Sequence, residues 1–206
     1  MNATSIRTRL IAAAALACAA AAPAYAGDFM ARFRVLQLDP ANQNTADAVI
    51  TTDSVSVNTK YIWEIDASYF VTENVALELI ATTPQKQTVY LNGTKLGTLR
   101  HLPPTLLLQY HFAPTNKAVR PYAGFGVNYT HFSAVNLNDV LPLDIDRHSW
   151  GTAVQFGADF PINDKVSINV DFKKIDIRTR VYNNGTQLGT VKVDPVLFGI
   201  GIGYRF

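Results

Sequence analysis

The 206-residue chain has one cysteine, Cys18. A chain trimmed after Ala26 would keep none, and with it no disulfide and no thiolate chemistry. It lacks a basic surplus too. Arg7 and Arg9 precede residue 27, so the 18 Lys and Arg become 16 against 16 Asp and Glu. That balance excludes a nucleic-acid binder, which gathers excess positive charge on one face, and the longest basic run is only Lys173-Lys174. Beyond residue 26 no apolar run approaches the roughly 20 residues of a spanning helix, and no segment repeats at helical spacing. Any membrane crossing therefore falls to strands.

What is present begins with an address. Arg7 and Arg9, an apolar run of 13 residues over 10–22, and Ala24-Tyr25-Ala26 before Gly27 form a secretory signal peptide. Cys18 after Leu16-Ala17 offers lipid attachment as an alternative, but the run continues past it to a good cleavage site. The expected domains are a signal peptide over 1–26 and one barrel over 27–206.

From there the chain alternates with period two. Strands are expected at 28–38, 60–70, 75–84, 104–112, 119–131, 149–160, 165–178 and 194–206. In the last, Val196, Phe198, Ile200, Ile202, Tyr204 and Phe206 oppose Leu197, Gly199, Gly201, Gly203 and Arg205. Short connections (71–74, 113–118, 161–164) alternate with long ones (39–59, 85–103, 132–148, 179–193). This predicts an all-β, eight-stranded antiparallel transmembrane β-barrel with short periplasmic turns and long extracellular loops. Strand seven is weakest, because Lys174 lands on the apolar face and implies a bulge or the membrane rim.

A soluble lipocalin-like barrel also alternates, with its apolar face inward. Three features favour the membrane. Aromatics such as Tyr61, Tyr69, Tyr110, Tyr129, Trp150 and Tyr204 fall near strand ends, as interfacial girdles require. The opposite face is rich in glycine and charge, which suits a narrow filled interior. The chain ends on Phe206, a terminal aromatic of the kind that barrel-assembly machinery reads. Outer-membrane lipid and that machinery are the expected partners.

Residues 89–100 recur as 181–192, identical at eight of twelve positions, and at the same offset Pro103 falls on Pro195. Both copies carry Asn-Gly (Asn92-Gly93, Asn184-Gly185), which accepts the positive φ of a type I′ turn. Loops two and four should then be hairpins above the membrane.

The chain resembles the outer membrane protein W family. The resemblance rests on residues 69–84, on His101-Leu102-Pro103-Pro104-Thr105-Leu106 with 109–112, on 120–130, on Ser149-Trp150-Gly151 and on 194–206. It implies an eight-stranded barrel with an apolar interior funnel that admits small hydrophobic molecules, and in some members a receptor for bacteriocins or phage. The family's apolar constriction falls on inward positions such as Ile80. On strand seven, where relatives can place an aromatic, this chain has Lys173.

Strand direction sorts the inward residues by depth. Arg32, Arg34, Glu64, Asp66, Glu78, His111, Asp159, Asp171 and Arg205 fall in the middle and lower lumen, where opposite charges should pair and close a floor. Leu36, Ile62, Ile80, Leu107 and Leu197 fall above them as an apolar funnel. A solute stopped by the floor would leave sideways, through a wall thinned at Gly124, Gly126, Gly199 and Gly201. Catalysis is not expected: His148-Ser149 is the only close nucleophile–base pair, and adjacent strand residues face opposite ways. No metal-ligand spacing and no cofactor motif is found. Two functions from different classes remain. One is a narrow channel for passive uptake of small hydrophobic molecules. The other is a non-conducting structural or receptor barrel whose loops bind a partner such as a bacteriocin or phage. Apolar residues at the loop end of the lumen would favour the first.

Overall fold

The computed structural model describes residues 29–41, 43–45, 55–139 and 142–206. The expected signal peptide and the middle of loop 39–59 lie outside these. The barrel strands are β1 (Phe29–Asp39), β2 (Lys60–Phe70), β3 (Val75–Thr82), β4 (Thr105–His111), β5 (Arg120–Asn136), β6 (His148–Pro161), β7 (Val166–Ile175) and β8 (Val196–Arg205). Each pairs antiparallel with its chain neighbour, and β8 pairs with β1 from Met30↔Arg205 to Asp39↔Val196, so the sheet closes. Closure removes the free edge that hydrocarbon would not tolerate.

Turn chemistry sets the periplasmic end. Thr72 Oγ1 accepts from Val75 N at 3.0 Å, Asn116 Oδ1 from Ala118 N at 2.8 Å, and Asn163 Oδ1 from Val166 N at 2.8 Å. Such local side-chain bonds satisfy backbone donors that a tight turn leaves unpaired. At the other end stand two hairpins, Gln85–Leu91 with Thr94–Leu102 and Arg178–Asn183 with Thr186–Lys192. Their tips have φ of 47° and 79° at Asn92 and Gly93, and 48° and 81° at Asn184 and Gly185, the type I′ geometry expected of Asn-Gly.

Strand boundaries agree with the period-two reading to within a few residues, with two exceptions. β5 runs on to Asn136 because the first hairpin pairs with it, from Leu102↔His131 to Thr98↔Asn136. β7 stops at Ile175, and its register with β6 passes Val154↔Lys174 without a shift, so Lys174 marks the rim and no bulge.

The faces are sorted for lipid. Outward Phe33, Trp63, Phe125, Phe156, Ile200 and Ile202 are exposed, while inward Arg32, Arg34 and Lys173 are fully buried. An apolar belt around the whole wall far exceeds the few hundred Å² that a soluble monomer leaves exposed. A lipocalin would show the reverse.

Candidate functional site

The interior is built in two layers. In the lower one, Arg32 and Arg34 project inward from β1 two residues apart, as period two requires. Arg32 donates from Nε and Nη2 to the two oxygens of Asp159 on β6 (3.1 and 2.8 Å) and from Nη1 to Ser68 on β2 (2.9 Å). Arg34 donates from Nη1 to Glu64 at 2.7 Å and from Nε to Asn169 at 2.6 Å. Its guanidinium also lies 2.7 Å from Asp66 Oδ2, an ion contact off the N–H axis, and 3.3 Å from Glu78 Oε1.

A third cation completes this layer. Lys173 on β7 reaches Glu64 at 2.7 Å and Asp171 at 2.5 Å. Tyr122 donates to Asp171 at 2.8 Å, and Gln155 donates to the same oxygen at 2.8 Å. Gln109 links to Gln155 at 2.8 Å. Arginines, lysine, carboxylates and amides thus cross the lumen from wall to wall. Desolvating charges is costly unless partners and hydrogen bonds replace the water, and here they do so at nearly every atom. Two buried carboxylate oxygens, Asp66 Oδ2 and Glu78 Oε2, have no hydrogen-bond donor among the described residues, and the first of them is held by its ion contact with Arg34.

Seven of the nine predicted floor residues meet in this network. The other two do not. His111 reaches it by one hydrogen-bond contact, to Gln109 (3.2 Å), and otherwise by packing its ring against Tyr122 and Phe70. Arg205 lies at the periplasmic mouth, its guanidinium 4.3 Å over the ring of Phe70. Strand tilt and its position at the end of β8 put it below the cluster. Sequence reasoning missed Lys173, Tyr122, Asn169, Gln109, Gln155 and Ser68 as members, although the inward parity of each was available.

Above the floor, Leu36, Ile62, Ile80, Leu107 and Leu197 are packed into one core at 0–4 % exposure. They were expected to line an open funnel, and the structure corrects this. The open space lies one layer higher, an apolar cavity of about 80 Å³ walled by both hairpins, with Val89, Leu96, Leu99, Phe132, Val181 and Val191 among its lining. The five residues seal its base because eight strands leave no room for a bore at that level. Its polar wall includes His101, whose pKa is lowered to about 4 by burial and then by the nearby Lys60 ammonium.

The glycine wall is also corrected. Gly124 and Gly126 lie on β5 and Gly199 and Gly201 on β8, with β6 and β7 between them, so they form no single patch. Nor is the packing thin there. A side chain at Gly199 would strike Leu36, at Gly201 the Arg34 stem and the Phe33 carbonyl, at Gly126 the Leu106 carbonyl, and at Gly124 the Gln155 amide. Gly124, Gly199 and Gly201 make room for large inward neighbours, and Gly126 lies against the backbone of the adjacent strand.

The wall is interrupted elsewhere. The β3–β4 ladder ends at Ile80↔Thr105, and its next hydrogen-bonded pair would join Thr82 to Pro103. Pro103 has no N–H, and its carbonyl accepts from Thr105 Oγ1 and Asn128 Nδ2, each at 3.2 Å. The hairpin above starts at Gln85↔His101, one residue out of step with that ladder. No backbone hydrogen bond joins 81–84 to 102–104 among the described residues, and Thr82 Oγ1 is buried without a partner. In the second copy of the repeat a single register runs from Val166↔Tyr204 to Arg178↔Lys192. There Ile175 N donates to Pro195 O at 3.1 Å and Ile177 N to Asp194 Oδ1 at 2.9 Å. The residue matching Asp194 in the first copy is Leu102, which cannot accept that bond.

A closed eight-stranded wall, apolar outside and filled inside, defines a small outer-membrane β-barrel. The OmpW family model matches residues 25–206, and the chain belongs to that family, whose place is the outer membrane of Gram-negative bacteria. Outer membrane protein W of Vibrio cholerae serotype O1 is 32% identical over 212 residues, covering 94% of this chain and 96% of that one. The crystal structure of the outer membrane protein OprG from Pseudomonas aeruginosa aligns with a TM-score of 0.73 at 29% identity, covering 88% of this chain and 96% of that one. The dibenzothiophene metabolism operon protein PahQ of Pseudomonas aeruginosa is 34% identical over 119 residues, covering 56% of each.

Proposed function

We propose that this barrel passes small hydrophobic molecules inward by passive uptake, without conducting ions along its axis. The observation that carries the reading is the stacking of the layers: an apolar cavity between the hairpins, a sealed apolar base, and an ionic floor beneath. A solute held in the cavity meets no path downward, since crossing the floor would break several buried charge pairs at once. The β3–β4 seam begins directly below His101 in the cavity wall, and Pro84, Pro103 and Pro104 lie within its stretch without cross-strand bonds. Parting a wall there costs no ladder hydrogen bonds, and it delivers the solute to the bilayer. We place the exit at this seam and not at the four glycines.

Apolar residues at the loop end of the lumen favour uptake over a non-conducting receptor barrel. One relative is named for a dibenzothiophene metabolism operon, and dibenzothiophene is itself a small hydrophobic molecule. The reading assigns no reaction; His148 and Ser149 point to opposite faces, one exposed and one buried. In the test, refolded protein in liposomes takes up an apolar fluorophore, with Leu99→Lys, which puts a charge into the cavity wall, as the blocked control. The parent should accelerate uptake and Leu99→Lys should lose that acceleration with the barrel still folded. Equal uptake by both, or no acceleration by the parent, overturns the proposal.

A further inference from the structure

His131 on β5 and His148 on β6 are direct cross-strand partners at the extracellular rim. Both are exposed on the outer wall, away from the lumen, and neither takes part in the uptake path. Their rings lie 5.0 Å apart, and their Nδ1 atoms face each other at 3.4 Å. The Tyr129 hydroxyl is 2.6 Å from the same His148 nitrogen. No other hydrogen bond or ion pair to either imidazole is found among the described residues.

Two ring nitrogens set against each other repel through their lone pairs unless a proton or a cation lies between them. Zinc–imidazole bonds are about 2.0–2.1 Å, and two such bonds at a tetrahedral angle hold their nitrogens roughly 3.3–3.4 Å apart. The observed separation is that of two ligands on one ion. We infer that His131 and His148 form a two-point site for a first-row divalent transition ion, of the class imidazole prefers, at the outer boundary of the membrane. Binding moves the Nδ1 hydrogen of one ring to its Nε2 through solvent, breaks the Tyr129 hydroxyl's bond to His148 Nδ1, and leaves the remaining coordination positions open to outside oxygen ligands. Copper(II) should bind more tightly than zinc, following the usual order of these ions at nitrogen sites. Chain spacing gives no hint of the pair, because the two histidines are 17 residues apart and meet only across the ladder. No group of three or more His, Cys, Asp or Glu suited to a metal occurs among the described residues, so the site is an open one.

The chain's own reporter is Trp150, whose ring is 4.8 Å from Tyr129, itself 5.7 Å from His148. The second of the two tryptophans, Trp63 on β2, is removed by Trp63→Phe. Copper(II) chloride is titrated into this single-tryptophan protein refolded in detergent, with fluorescence as the readout and circular dichroism as the fold check. Saturable quenching is expected, reversed by EDTA and competed by zinc, with half-saturation at least tenfold higher in His131→Ala and in His148→Ala. Both side chains point out of the barrel, so these variants should fold, and His148→Gln serves if one does not. Absence of saturable quenching, or half-saturation unchanged in the histidine variants, overturns the inference.

Discussion

Arg34 is the residue whose loss should say most about the floor. Its side chain is fully buried and meets Glu64, Asp66 and Glu78 at 2.7, 2.7 and 3.3 Å, besides donating to Asn169. Arg34→Ala removes one of three cations in the cluster and leaves those carboxylates facing only Arg32 and Lys173. Breaking a buried ion pair from one side costs about 3–5 kcal/mol, because the abandoned charge stays desolvated. With a urea slope of about 2 kcal/mol/M, a loss of about 4 kcal/mol moves the unfolding midpoint down by about 2 M. The assay is equilibrium unfolding from lipid vesicles, paired with bilayer recording of the variant. Where the barrel survives, water should enter the vacated space and a conductance should appear. The double variant Arg34→Met with Glu64→Gln should recover part of the stability, since it removes charge from both sides. A midpoint within about 0.5 M of the parent, about 1 kcal/mol on that slope, together with a silent bilayer, would refute the claim that the cluster seals the lumen.

Phe125 sits outward at midwall, so Phe125→Arg should cost about 2–4 kcal/mol in lipid. Unfolding from vesicles checks it, and an unchanged midpoint would mean the faces are inverted. Gly93→Val and Gly185→Val should each fray a hairpin tip, because a β-branched residue resists the φ of 79° or 81° found there. Proteolysis in intact cells should then rise at 85–102 or 178–192 while the barrel stays whole. His101 is held neutral, with a pKa of about 4 against about 6.5 when unfolded. Its folded-state pKa is depressed, so its contribution is complete above pH 6.5 and is lost as pH falls from there toward 4, by about 3 kcal/mol in all. Amide exchange in the first hairpin should quicken over that window, and His101→Gln should abolish the dependence.

How much of this was legible in the chain follows from what alternation can encode. Period two fixes which side a residue faces, so Arg34, Glu64 and Asp171 were assigned inward and Phe125 and Ile200 outward before any geometry. Asn92-Gly93 and Asn184-Gly185 carried their turn type in their own chemistry. Depth is encoded more weakly. Arg205 has the right parity but sits at a strand end, and tilt carries it out of the cluster. Lys173 lies in the single basic pair of the chain; parity turned it inward and Lys174 outward, but only the structure shows that it reaches Glu64 and Asp171 in the floor. Absent side chains mislead most. A glycine reports that nothing projects from its own backbone, yet Leu36 and Arg34 fill the space beside Gly199 and Gly201. The cavity depends on how two hairpins lean together, and the β3–β4 seam on a one-residue slip between ladders. Neither leaves a periodic trace in the sequence.

The central claim is that an apolar cavity stands over a closed floor. Planar-bilayer recording of the parent protein at neutral pH tests it most directly. The account predicts no steady axial conductance, because Arg32, Arg34 and Lys173 with their carboxylates cross the whole lumen. A large, steady, ohmic conductance from the unaltered barrel would contradict it.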